Sequence, residues 1–109
     1  VTWNQVTTST VFSERIAPQV VVDKNRLILV GGENADGLLG DMWVSEDKGI
    51  NWTKVDNNNV MALPTSFKAR KDFSMFIKDG AIYIIGGLGA KDANNRYTFI
   101  NDVWKGKLQ

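Results

Sequence analysis

The chain writes the same pattern twice. With "ERIAPQVVVDKNRLILVGG" set above "ARKDFSMFIKDGAIYIIGG", Arg15 falls on Arg70, Val22 on Ile77, Val30 on Ile85 and Gly31-Gly32 on Gly86-Gly87, always 55 residues on. "GDMWVSE" and "NDVWKGK" align likewise, Asp41 on Asp102 and Trp43 on Trp104, at a spacing of 61. "TWNQV" at residues 2–6 matches "NWTKV" at residues 51–55, at a spacing of 49. The drift between registers marks insertions between fixed elements: "DNNNVMALPTSF" at 56–67 and "LGAKDANNRYTFI" at 88–100. A repeat of this period means supersecondary units stacked on one another.

Each unit reads as four short strands. Residues 16–22 and 73–77 are apolar runs bounded by polar turns. "DKN" and "KDG" are compact turn sequences, and Asp79-Gly80 is a strong hairpin signal because glycine takes positive φ freely. Residues 27–30 and 81–85 are nearly all apolar, as suits strands buried on both faces, and the Gly-Gly pairs end them. Third strands run near 41–45 and 102–105, and a fourth near 51–55. No stretch shows capped helical periodicity, so the expected class is all-β.

An apolar strand, a hairpin turn, a second apolar strand ending in Gly-Gly, a variable loop, a Trp-bearing strand and a W-x-x-V strand together resemble the kelch repeat, as in the central domain of galactose oxidase. The resemblance covers almost the whole chain. It implies β-propeller blades, each a four-stranded antiparallel sheet. It makes Gly31, Gly32, Gly86 and Gly87 the paired glycines, and Trp3 and Trp52 the fourth-strand tryptophans that pack between blades. Typical kelch repeats carry tyrosine in the third strand, where this chain has Trp43 and Trp104. The blades divide as residues 14–56, complete, and 68–109, lacking a fourth strand, with 1–6 as the outer strand of a neighbouring blade. Propellers hold about four to eight blades. The chain therefore reads as a fragment of a larger propeller, with a ring of several copies as the other arrangement. Residues 2–6 suit the vacant fourth-strand place, in this chain or a neighbour. The polar end, "WKGKLQ", reads as a natural C-terminus.

"SEDKGINW" resembles the Asp-box of sialidase-like propellers through Ser45, Asp47, Gly49 and Trp52, with Asn51 where threonine is usual. Asp47 is expected to staple a turn by accepting backbone N–H bonds, since no second carboxylate shares its face. The resemblance puts such turns on the outer rim. The sequon "NWT" at 51–53 overlaps this motif and reads as incidental.

Arg15 and Arg70 precede the first strand of each unit. In kelch-like propellers that strand lines the central channel, so the resemblance makes Arg15, Arg70 and the neighbouring Glu14 candidate ligand contacts, the arginines through planar hydrogen-bond forks. The other reading, and the favoured one, is an ion pair between neighbouring blades, with Glu14 or Asp72 as partner.

The chain has neither Cys nor His. This excludes disulfides, thiolate or Ser-His-Asp catalysis and imidazole-bound metals, and with them the copper chemistry of galactose oxidase. No metal site, cofactor or catalytic residue is assigned, although carboxylate-bound calcium needs only oxygen. Thirteen basic and twelve acidic residues are well mixed, which is no nucleic-acid footprint. No apolar run reaches the roughly 20 residues that span a bilayer. The leading expectation is a non-catalytic binding or scaffold module. It presents the loops at 33–40, 56–67 and 88–100 to a carbohydrate or protein partner. The alternatives are part of a carbohydrate-processing enzyme, resembling a sialic-acid mutarotase or a sialidase, and a structural ring-building unit. The mixture of the two motif types suggests an exported bacterial protein, in the periplasm or at the cell surface.

Overall fold

The computed structural model describes residues 1–7 and 10–108. Gln109, the end of the second expected unit, lies outside them. The first sheet is antiparallel, with β1 (Gln19–Asp23), β2 (Arg26–Asn34), β3 (Gly37–Ser45) and β4 (Thr53–Lys54) in spatial order. The second has β5 (Ser74–Lys78), β6 (Ala81–Ile85) and β9 (Val103–Lys107), and a two-stranded hairpin of β7 (Leu88–Lys91) and β8 (Tyr97–Phe99) continues beyond it. Among the described residues no helix is long and apolar enough to cross a membrane.

The repeat is visible in the backbone itself. Lys24 and Asp79 turn the first hairpin of each unit at φ 57° and 51°. Ala17 and Asp72 kink the chain at φ 55° and 54°, just before β1 and β5. Because of that kink the first strands start later than the expected residue 16. Ile16 makes only a bridge to Glu33, and its repeat Lys71 makes the same bridge to Leu88. The Gly-Gly pair interrupts the second unit between β6 and β7, but β2 runs through Gly31-Gly32 with a bulge between Val30 and Gly32. A bulge absorbs the extra residue and lets pairing resume. The expected loops at 33–40 and 88–100 are therefore largely hairpin arms that project past the sheets.

The core lies between the sheets. Ile28, Val30 and Met42 face Met75, Ile82 and Ile84, with Phe67 and Phe73 filling the gap. Two backbone bonds cross the same boundary: the Gly32 N–H donates to the Arg70 carbonyl at 2.9 Å, and the Arg70 N–H to the Leu39 carbonyl at 3.1 Å. The outer edge of β3 is covered by β4, and the Val55 N–H donates to the Met42 carbonyl at 2.8 Å. Among the described residues no strand lies beside the outer edge of β9. Residues 2–6 pair with no strand among the described residues, and Trp3 is 90% exposed.

Candidate functional site

Arg15 and Arg70 are held in matching cages. Arg70 grips Asp102 with both terminal nitrogens, at 2.6 and 2.9 Å. Nη1 also donates to the Gly86 carbonyl at 3.0 Å, and Nε to the Lys68 carbonyl at 3.0 Å. Arg15 grips Asp41 at 2.7 and 3.1 Å and donates to the Gly31 carbonyl at 3.1 Å. Each aspartate also accepts from an indole, Asp41 from Trp43 at 2.8 Å and Asp102 from Trp104 at 2.9 Å. Each guanidinium lies over a phenylalanine, Arg15 over Phe12 and Arg70 over Phe67, at 5.3 and 4.3 Å. The ion-pair partners are therefore Asp41 and Asp102, not Glu14 or Asp72, and each pair closes within one unit instead of bridging two. Arg70 is completely buried. Its planar fork suits bidentate carboxylate binding, which lysine could not copy. The Arg70 hydrogen bond outweighs burial and holds the Asp102 carboxyl below its ordinary value. Burial alone would raise Asp41, but the bonds from Arg15 and Trp43 bring it below. Glu14 is exposed and stands outside the cage.

Asp47 sits in the turn between β3 and β4. Its carboxylate accepts from the Asn51 N–H, the Asn51 side-chain amide and the Ser45 hydroxyl, at 2.8, 2.8 and 2.9 Å. The Gly49 N–H in turn donates to the Ser45 oxygen at 2.8 Å, and the Trp52 indole to the Gly49 carbonyl at 3.0 Å. The turn thus delivers Trp52 edge-on to Phe12, ring centroids 5.2 Å apart. The Asn51 backbone bond, then its side-chain bond, lowers the Asp47 pKa. A lowered carboxyl stabilises the fold above its unfolded pKa and stops doing so as pH falls through its folded value. An Asp47→Asn variant is expected to melt below the parent at neutral pH, with the gap in Tm closing as the pH is taken down through and below the ordinary aspartate value of about 3.9. Thermal melts across that range check this, and a pH-independent gap would contradict it.

A cleft of about 1170 Å³ separates the two projecting hairpins. Glu33 of β2 stands on one wall and Tyr97 of β8 on the other. Lys71 donates to Glu33 Oε1 at 2.8 Å, and the Tyr97 hydroxyl to Oε2 at 2.5 Å. The Lys71 ammonium also lies 4.1 Å from the Tyr97 ring centre, and Lys91 lies 5.0 Å from it. The Lys71 hydrogen bond, then that of Tyr97, lowers the Glu33 pKa, and the same contact with Glu33 raises that of Lys71. Glu33 contributes above its unfolded carboxyl value and loses this as pH falls through its lowered one. Lys71 contributes below its unfolded value and loses this as pH rises through its raised one. The pair stays charged across the neutral range and ties the two hairpins together. The polar lining also includes Asn34, Asp36, Lys68, Lys91, Asn101 and Asp102. Among the described residues no group of three or more Asp or Glu is placed to hold a metal ion.

Sequence reasoning passed over this cluster. Glu33 and Tyr97 fall outside the aligned stretches, and Lys71, inside them, replaces the apolar Ile16 of the first unit. Phe12 and Phe67 were legible, since they stand 55 residues apart and three before each arginine. No curated protein matches the sequence. The family model described as the DUF6242 beta propeller domain matches residues 1–109. The chain accordingly belongs to that β-propeller family, and its sheets are blades of a propeller of which this is part.

Proposed function

We propose that the chain is a non-catalytic recognition module of a kelch-type propeller that holds a carbohydrate in the cleft between its hairpins, exported to the periplasm or surface of a bacterium. The observation that carries this is the state of the ionisable groups there. Of the three carboxylates in the lining, Glu33 is bound by Lys71 and Tyr97, and Asp102 by Arg70 and Trp104, which leaves Asp36, exposed at the tip of the first hairpin, without a second free carboxylate to pair with. Carboxylates held in this way are poor proton shuttles, since catalysis wants a pKa near the working pH. Mutarotase or glycosidase chemistry needs such a free acid–base pair. What the cleft does offer is concavity, the Tyr97 ring and neutral amides from Asn34 and Asn101, the lining expected of a small polar ligand site. On this reading Arg15 and Arg70 shape the cleft as clamps, and the ligand contacts fall to the hairpin arms.

Titration of the chain with a panel of oligosaccharides tests this. An Asn34→Ala/Asn101→Ala double variant is expected to bind its best ligand about tenfold more weakly, the loss of one or two net hydrogen bonds. A variant that binds as tightly as the parent, or anomerisation activity lost in Glu14→Gln, would count against it.

A further inference from the structure

We infer that the sugar held in the cleft is an acidic one, whose carboxylate or sulfate group is met by Lys91, with Lys68 as the second cation of the site. This rests on the carbohydrate reading above and adds to it the charge of the ligand. Both walls of the cleft belong to this chain, one hairpin on each side.

The charges of the cleft do not balance. Its lining holds three carboxylates, Glu33, Asp36 and Asp102, and two ammoniums, Lys68 and Lys91. Arg70 grips Asp102 at 2.6 Å and Lys71 grips Glu33 at 2.8 Å, so these four charges cancel in pairs. Lys68 and Lys91 are left against Asp36 alone. Neither lysine makes an ion pair among the described residues. Asp36 is exposed at the hairpin tip, where water and salt screen it. One cation in the lining therefore has no counter-charge.

Tyr97 gives that excess a place. The Lys71 ammonium lies 4.1 Å from the centre of its ring and the Lys91 ammonium 5.0 Å from it. Two ammoniums thus gather at one ring, where a single carboxylate, that of Glu33, is bonded. Like charges so placed repel, and an anion brought beside them relieves the repulsion. The Glu33 pKa is lowered first by the Lys71 bond and then by the Tyr97 bond, and the charge of Lys91 lowers it further, so the field of Lys91 reaches into the cleft. An ammonium is a point charge with three donors, which suits the oxygens of a carboxylate or a sulfate equally.

The repeat separates these lysines from blade architecture. Residues that build a repeat recur with it, as the Arg–Asp cages do. At the spacing of 55 the first unit has Ser13 for Lys68, Ile16 for Lys71 and Asp36 for Lys91. A blade is built without them, so packing does not explain them. Phe99 stands two residues along β8 from Tyr97, leaves the strand on the same side and lines the cleft. It offers a ring for the apolar face of a pyranose while the charged group turns to the lysines.

Titration calorimetry on the complete propeller tests the inference. The probes are neutral oligomers of glucose, galactose and mannose, each matched by its uronic acid and by its sulfated form. An acidic form is expected to bind at least about tenfold more tightly than its neutral match, the worth of one hydrogen bond to a charged group. Which acidic form leads tells a carboxylate ligand from a sulfated one. Lys68→Met/Lys91→Met, at two exposed positions, is expected to abolish the preference and leave neutral binding as it was. Asn34→Ala/Asn101→Ala is expected to weaken both forms alike and keep their ratio. Added sodium chloride is expected to narrow the preference. Neutral oligomers that bind as tightly as acidic ones would overturn the inference and leave the carbohydrate reading standing. A preference that survives the double lysine variant would also overturn it. Binding to none of the probes would overturn both.

Discussion

An Arg70→Met variant is expected to lose about 3 kcal/mol of folding stability, the low end for breaking a buried ion pair because Asp102 keeps some contact with water. The methionine refills most of the volume, so the loss reports the four hydrogen bonds and the carboxylate left without its fork. Urea unfolding with an unchanged m-value checks this. The loss should shrink when Asp102→Asn is already present, since the stranded charge is then absent. Equal losses in both backgrounds would mean that the ion pair itself contributes nothing.

Gly32→Ala is expected to cost a similar amount, about 3 kcal/mol or more. A Cβ there would stand 2.7 Å from the Ile16 carbonyl and 3.1 Å from the Pro18 nitrogen, both backbone atoms that cannot swing aside. The residue also sits at φ 103°, which a side chain resists. Strain and overpacking each cost of order 1–3 kcal/mol. Gly106 is the control, as it has ordinary φ and nothing near the added methyl. Gly106→Ala is expected to leave stability within about 0.5 kcal/mol. Chemical denaturation of the two variants side by side decides the point. Equal effects would mean that the close approach of residues 16–18 to the Gly-Gly pair does not constrain the fold.

The strands were legible because the repeat states each of them twice. Residues 81–85 end where "IIGG" says they should, and the hairpin at Asp79-Gly80 forms with both residues at positive φ. The kink at Ala17 was not legible, since alanine carries no signal for a left-handed conformation. The arginine partners were missed for a different reason. Arg15 and Asp41 are 26 residues apart and Arg70 and Asp102 are 32 apart, whereas Glu14 and Asp72 lie within two positions of an arginine. Local sequence favours the neighbour, and the fold chooses the residue that the third strand delivers. The cleft was hidden for the same reason, because the Glu33–Tyr97 contact joins hairpin arms 64 residues apart.

The uncovered edge of β9 has a further consequence. An unpaired strand edge is a template on which any extended chain can grow, and natural proteins guard such edges with charge. Here the guards are Lys105 and Lys107, flanking Gly106 near the end of the strand. Two β9 edges brought together would set lysine near lysine, so the strand discourages its own kind. The segment "TWNQV" has no charged side chain and is exempt from that repulsion. The charges thus discourage pairing between two copies of this edge and leave it to a neutral strand, in the place that β4 takes beside β3 in the first sheet.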